Sequence, residues 1–252
     1  MTMSMTPGSL VTVAFADLKA ALWGAAVVAG QRSPVLLAGA DGKATAVDAN
    51  VHGIDPGDEW RIAAGGAELI VTAVGEPVTA AGPEAERRGF DQLCRVEGRL
   101  PTPAGEREVA ALGIRGSRDV AFDADGFAAV REVAAWFEPG DGLALAAFRP
   151  RGAKGQDADV ISAAVLDAEN SAPVEDARLS TTYAADGWAT RAGLELWLGG
   201  DEDQQLLRRA AGEAIGARAC ASAGDLELRA ELFRWHSGGR DGAGIYLLTT
   251  RR

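Results

Sequence analysis

Residues able to do chemistry are sparse in this 252-residue chain, and their spacing excludes several classes of site. There are two histidines, His52 in Asn50-Val-His-Gly53 and His236 at the mouth of a C-terminal hairpin. A zinc site needs more His or Cys ligands than surround either one, so each reads as an exposed loop residue and no metal is expected. No Gly-x-Ser-x-Gly stretch occurs, and with it goes the elbow that presents a hydrolase serine. Asp123-Ala-Asp-Gly126 opens like a calcium loop but lacks the downstream glutamate, and a turn between strands explains it. Gly238-Gly-Arg-Asp-Gly-Ala-Gly244 lacks the Lys-Ser/Thr ending of a phosphate loop and reads as a hairpin turn. Arg178-Leu-Ser-Thr-Thr-Tyr-Ala-Ala-Asp-Gly-Trp188 sets Tyr183 and Trp188 among hydroxyls and Asp186. It is either a strand ending in an Asp-Gly turn with Tyr183 in the core, or a pocket rim where aromatic rings meet an apolar ligand.

The elements that must position these residues read as strands. In Arg191-Ala-Gly-Leu-Glu-Leu-Trp197, Leu194 and Leu196 alternate with Glu195. In Leu226-Glu-Leu-Arg-Ala-Glu-Leu-Phe-Arg-Trp235, Leu226, Leu228 and Ala230 alternate with Glu227, Arg229 and Glu231. A period of two places apolar side chains on one face and charges on the other, as in an antiparallel sheet with one wet face. Asp41-Gly42, Gly65-Gly66, Pro101 to Gly105 and Glu138-Pro-Gly-Asp-Gly142 separate further runs of this kind as turns. Gly75 to Gly89 reads as a surface loop. Asp201 to Ala223 starts with a capping acid, but Gly212 and Gly216 would each weaken a helix by about 1 kcal/mol. A short helix or turn at Asp201 to Gln205, then a strand through Arg208 to Cys220, is expected there.

Bulk properties narrow the partners. A formal net charge of -11 repels phosphate backbones and anionic headgroups, which argues against nucleic acid. The apolar stretch Ala20 to Ala29 is broken by Gly24 and too short to span a bilayer. With no basic leader or cleavage signature, the expectation is a soluble cytoplasmic protein without a membrane span. Cys94 and Cys220 stand far apart and read as reduced thiols, with a single bridge between them left open.

Across Val130 to Tyr246 the strand signatures Ala146-Ala-Phe-Arg-Pro150, Arg178-Leu-Ser-Thr-Thr-Tyr183, Gly193-Leu-Glu-Leu-Trp197, Arg209-Ala-Ala-Gly-Glu213, Phe233-Arg-Trp235 and Gly242-Ala-Gly-Ile-Tyr246 resemble the lipocalin-like family of hydroxyneurosporene synthase and the AttH proteins. The N-terminal half matches only in strand spacing. The resemblance implies an all-β chain of two consecutive antiparallel β-barrel or sandwich domains, 1–120 and 121–252, around an elongated apolar cavity. It also implies chemistry on an apolar, isoprenoid-like small molecule as a hydratase or a cyclase/isomerase, without metal or other cofactor. Such reactions use an acid to protonate an alkene, or a shaped cavity that folds the substrate. The family's His- and Trp-bearing junction loop corresponds to Leu112-Gly-Ile-Arg-Gly-Ser-Arg-Asp119, where both residues are missing. Asp119 is the acid candidate there, because desolvation raises a carboxyl pKa; Glu97 and Glu195 are the others. Tyr183, Trp188, Trp197, Trp235 and Arg115 are the candidates for contact with ligand. A non-catalytic carrier of a hydrophobic molecule, or a structural or interaction module with no pocket, stays open beside the enzyme. The oligomeric state is not legible.

Overall fold

A chain with a two-residue period and turn residues throughout satisfies its backbone by ladders between antiparallel strands. The computed structural model describes residues 9–57, 59–81, 88–102, 105–119, 127–154, 158–199 and 206–252. It is all-β, with no helix among the described residues. In chain order the first strands are β1 (Ser9–Asp17), β2 (Leu22–Ala29), β3 (Val35–Ala40), β4 (Lys43–Asp48), β5 (Asn50–His52), β6 (Trp60–Ala64), β7 (Ala67–Ala73), β8 (Val78–Ala81), β9 (Arg88–Thr102) and β10 (Gly105–Asp119). There follow β11 (Phe127–Phe137), β12 (Asp141–Pro150), β13 (Val160–Asp167), β14 (Ala172–Pro173), β15 (Asp176–Tyr183), β16 (Ala189–Leu198), β17 (Leu206–Ala223), β18 (Leu226–Ser237) and β19 (Arg240–Arg251).

β1 to β10 make one sheet, ordered β4-β3-β2-β1-β10-β9-β7-β6-β5 with β8 beside β9. β11 to β19 make the other, ordered β14-β13-β12-β11-β19-β18-β17-β16-β15. In each sheet the first strand pairs with the last, Ser9 opposite Asp119 and Ala129 opposite Thr250. One sheet curls into a nearly closed barrel and the other into a half-barrel. The expected strand through Arg208 to Cys220 is present as β17, whereas Asp201 to Gln205 and Asp123 to Gly126 lie outside the described residues. Asp41 and Gly42 take the positive φ angles, 52° and 76°, of the expected hairpin turn.

Two expected loops are strands in part. Val78–Ala81 pairs with the start of β9, with Val78 and Ala80 buried, and Asn50–His52 adds an edge strand to β6. Pro, Gly and Glu neighbours masked the short ladder in the first case, and a three-residue strand carries no period in the second.

The larger correction concerns the wet face. On β18 the alternation is real, but Leu226, Leu228, Ala230 and Leu232 pack toward the other sheet while Phe233 and Trp235 fill the interior of their own. Glu231 shares that interior side and is only 2% exposed. The strand is central in its sheet and covered on both sides, so charge on one face does not mean solvent there. β1 behaves likewise: Leu10, Ala14 and Ala16 join the core between the sheets, and Val11, Val13 and Phe15 the core inside the first sheet. β11 sends Val130 and Trp136 between the sheets and Val133, Ala135 and Phe137 into the second interior. Each fully buried Leu, Val or Phe among them contributes about 1.5–3 kcal/mol, and three contiguous cores hold the molecule together.

Candidate functional site

β1, β9, β10 and β11 bring charged side chains into the core between the sheets. Alternation along β11 places Glu132 on the same face as Val130 and Trp136, toward β1, where Thr12 Oγ1 donates to its Oε1 at 3.3 Å. On the facing sheet, Arg118 of β10 donates through Nη2 to Asp91 Oδ1 of β9 at 2.5 Å. Its Nη1 donates to the carbonyls of Phe90 and Ser117, both at 3.1 Å. Glu132, Asp91 and Arg118 are all buried. Glu132 Oε2, Asp91 Oδ2 and Arg118 Nε have no hydrogen-bond partner among the described residues. Buried unpartnered groups of this kind are costly and call for an explanation.

The same three side chains line a space of about 20 Å³, walled by Ala14, Ala25, Ile114, Ala134, Ala144 and Ile245 among others. That is room for a single water-sized molecule. Burial pushes the Glu132 carboxyl up to about 7; the Arg118 charge and the Thr12 hydrogen bond work against the rise, and the Asp91 carboxylate adds to it. Near neutral pH the carboxyl is therefore poised to give or take a proton in an apolar wall. Glu231, on the interior side of β18, is also pushed up to about 7 by burial, and accepts the Ala189 N–H at 2.8 Å.

The three acids named from sequence lie elsewhere. Glu97 is exposed between Arg95 and Arg99 on β9, facing away from the first interior, and Glu195 pairs with exposed Arg209 on the outer side of β16. Asp119 is half-buried at the end of β10, opposite Ser9. The aromatic candidates are spread as widely. Trp235 is fully buried, stacked against Phe233, with its ring seated where a Cβ on Gly212 or Gly244 would stand within 3 Å. Trp188 lies between the guanidiniums of Arg218 and Arg229, 5.4 and 5.5 Å from its ring, and Trp197 lies under Arg178 at 5.0 Å. Arg115 is fully buried inside the first sheet, 4.9 Å over Trp60, and donates to Gln92 Oε1 at 2.9 Å and to the Pro56 carbonyl at 2.6 Å. Tyr183 shares a hydroxyl contact of 2.9 Å with buried Tyr246, which in turn meets Thr181 Oγ1 at 3.2 Å.

Sequence reasoning missed Glu132, Asp91 and Arg118. The signal lay in Phe127-Ala-Ala-Val-Arg-Glu-Val-Ala-Ala-Trp-Phe137, where an Arg-Glu pair interrupts an otherwise apolar strand and so buries one charge on each face. In the junction segment the acid candidate Asp119 lies one residue beyond the inward-facing Arg118.

Among the described residues no group of three or more His, Cys, Asp or Glu is arranged to hold a metal ion. No helix there is long and apolar enough to cross a membrane. No protein-family model and no curated protein matches the chain in sequence. Among solved structures it is similar to a protein described as AttH (NE1406) from Nitrosomonas europaea, at 11% identity and a TM-score of 0.64, over 97% of this chain and 93% of that one. It is also similar to CghA, solved with Sch210972, at 13% identity and a TM-score of 0.63, over 97% and 89% of the two chains. The likeness at these identities is one of fold.

Proposed function

We propose that this protein acts on an apolar, isoprenoid-like molecule admitted between its two sheets, with Glu132 as the acid and addition of water as the favoured reaction. One observation carries the reading: a buried carboxyl with a pKa raised to about 7 stands beside a water-sized space in an otherwise apolar wall. The neutral carboxyl transfers its proton to one carbon of an alkene, and the other carbon becomes a cation. A water in the adjoining space adds to that carbon, and the proton it sheds returns to the Glu132 carboxylate. If an internal double bond reaches the cation first, the same acid gives cyclisation, and proton loss from a neighbouring carbon gives isomerisation. Burial favours the protonated form of Glu132 and the Asp91 carboxylate adds to that, while Arg118 pairs with Asp91. A 20 Å³ space does not admit such a substrate, so the reading requires the units 1–120 and 121–252 to part along the small side chains Ala14, Ala25, Ala134 and Ala144.

The same small volume favours a second reading, in which the cluster only clamps the sheets together and the chain is a structural or interaction module. Incubation of the protein with acyclic polyenes in H₂¹⁸O, followed by organic extraction and mass spectrometry, separates the two. Incorporation of ¹⁸O by the wild type and its loss in Glu132→Gln are expected. Equal incorporation by the variant, or none with any polyene, rejects the acid role.

A further inference from the structure

β11 has a second buried charge, Arg131, which points to the opposite side from Glu132 and into the interior of the second sheet. There Arg131 Nη2 and Arg149 both donate to the Asp159 carboxylate, Arg149 Nε at 2.9 Å. The Asp159 side chain is fully covered and that of Arg131 is 4% exposed. Two guanidiniums thus share one carboxylate, which leaves one positive charge in excess at this end of the interior. Arg131 Nε and Nη1 have no hydrogen-bond partner among the described residues, although both are buried. The hydroxyls of Tyr183 and Tyr246 lie close enough to these guanidiniums for their charges to interact.

Asp159 also lines a groove of about 630 Å³ that opens along the seam between β13 and the edge strand β15. That volume is typical of a small-molecule site. Past the short β13–β14 ladder, Val174 N–H bonds to the Ala163 carbonyl and Glu175 N–H to the Trp197 carbonyl, both at 3.0 Å, so that the segment between β14 and β15 joins the two ends of the sheet. The lining mixes apolar Ile161, Ala163 and Leu179 with charged residues, Glu175, Asp176 and Glu195 among them, so the chain lies on the apolar side and only the Arg131–Arg149 end offers a cation pair to a headgroup.

We propose that this seam is a binding site for a free monocarboxylate with a long apolar chain, its chain along the groove and its headgroup at the Arg131–Arg149 pair. A second carboxylate supplies the acceptor that the orphaned Arg131 donors lack and neutralises the excess charge, and guanidinium forks bind carboxylates in the bidentate manner this needs. The hydroxyl of Tyr183, paired with that of Tyr246, lies beside Arg149 as a further polar group at this end. An ammonium headgroup meets like charge here, and an alcohol brings neither the charge nor the paired oxygens. The site lies on the other face of β11 from Glu132 and does not depend on the acid chemistry proposed there.

The test is calorimetric titration of the whole chain with dodecanoate and with 1-dodecanol, below micelle-forming concentrations. Dodecanoate is expected to bind with one-to-one stoichiometry, and dodecanol at least about 10-fold more weakly. Arg149→Gln should weaken dodecanoate by about 10-fold and leave dodecanol unchanged, while Ala177→Trp, which fills the groove, should abolish both. Equal affinity for the acid and the alcohol, no binding of dodecanoate, or an Arg149→Gln variant indistinguishable from wild type overturns the proposal. Should Arg149→Gln fail to fold, the acid-to-alcohol ratio in the wild type and the Ala177→Trp result decide it by the same criteria.

Discussion

Replacing Glu132 by Gln keeps the side chain's shape and its contact with Thr12 while removing its proton equilibrium, so it isolates the consequence of burying that acid. In the folded protein the carboxyl is held at about 7, against 4.5 for an unburied glutamate. Between those values the folded state binds more protons than the unfolded state, and stability falls as pH rises. The contribution is complete below about 4.5 and is lost by the time pH has passed 7. Linkage arithmetic gives a loss of roughly 2–3 kcal/mol between pH 5 and pH 8 from this group alone. For a chain of this size that is roughly 5–10 °C in melting midpoint. Glu231 acts in the same direction, whereas Asp225 and Glu227, lowered by their arginine partners, add stability above the usual carboxylate range and lose it on acidification. The measurement is thermal unfolding by circular dichroism at pH 5 and pH 8 for the wild type and Glu132→Gln. The variant should lose less stability than the wild type over that interval by roughly 2–3 kcal/mol. A variant with the full wild-type loss would show that Glu132 ionises normally in the folded protein, and the assignment of the acid would fall with it.

Other expectations concern neighbouring features. Asp91→Asn removes the carboxylate that helps keep Glu132 protonated, so the Glu132 titration should move down from about 7, seen as earlier loss of the protonated carboxyl stretch in infrared spectra. Cys94 is buried, with its thiol pushed up to about 12 by burial, and Cys220 is exposed; a thiol reagent at pH 8 should react with one cysteine in the native protein and two after denaturation. Gly244→Ala sets a Cβ 2.3 Å from the Ala134 carbonyl oxygen and 2.7 Å from the Trp235 ring, and should cost about 1–3 kcal/mol in denaturant unfolding.

The strands were legible because their signal is local. Alternation in Leu194-Glu-Leu196 and turn pairs such as Asp41-Gly42 need no tertiary partner to be read, and the structure places strands and turns at both. Which face meets solvent is a tertiary fact. Glu195 does lie outward with Arg209, yet Glu231, in the same kind of pattern, is enclosed because β18 is covered on both sides. The buried cluster was illegible for a related reason: Asp91, Arg118 and Glu132 come from strands far apart in sequence and meet only when two sheets stack. Tyr183, singled out with its hydroxyl neighbours, does meet Tyr246, but the guanidiniums beside them come from β11 and β12, and no spacing rule joins those strands to β15.

The pairing of first and last strands sets the order in which this molecule can assemble. β1 must wait for β10, about a hundred residues later, before the first sheet acquires its central ladder, and β11 waits as long for β19. Loop closures of that length make folding slow. During synthesis the first sheet can complete itself once residue 119 has left the ribosome. Its outward side, bearing Leu10, Trp23, Leu37 and Ile114, then remains uncovered until the rest of the chain has been made and folded. An apolar surface left open for that interval is what chaperones bind and what aggregates form from. Yield of the full chain should therefore respond to translation rate and chaperone supply more than its final stability alone suggests.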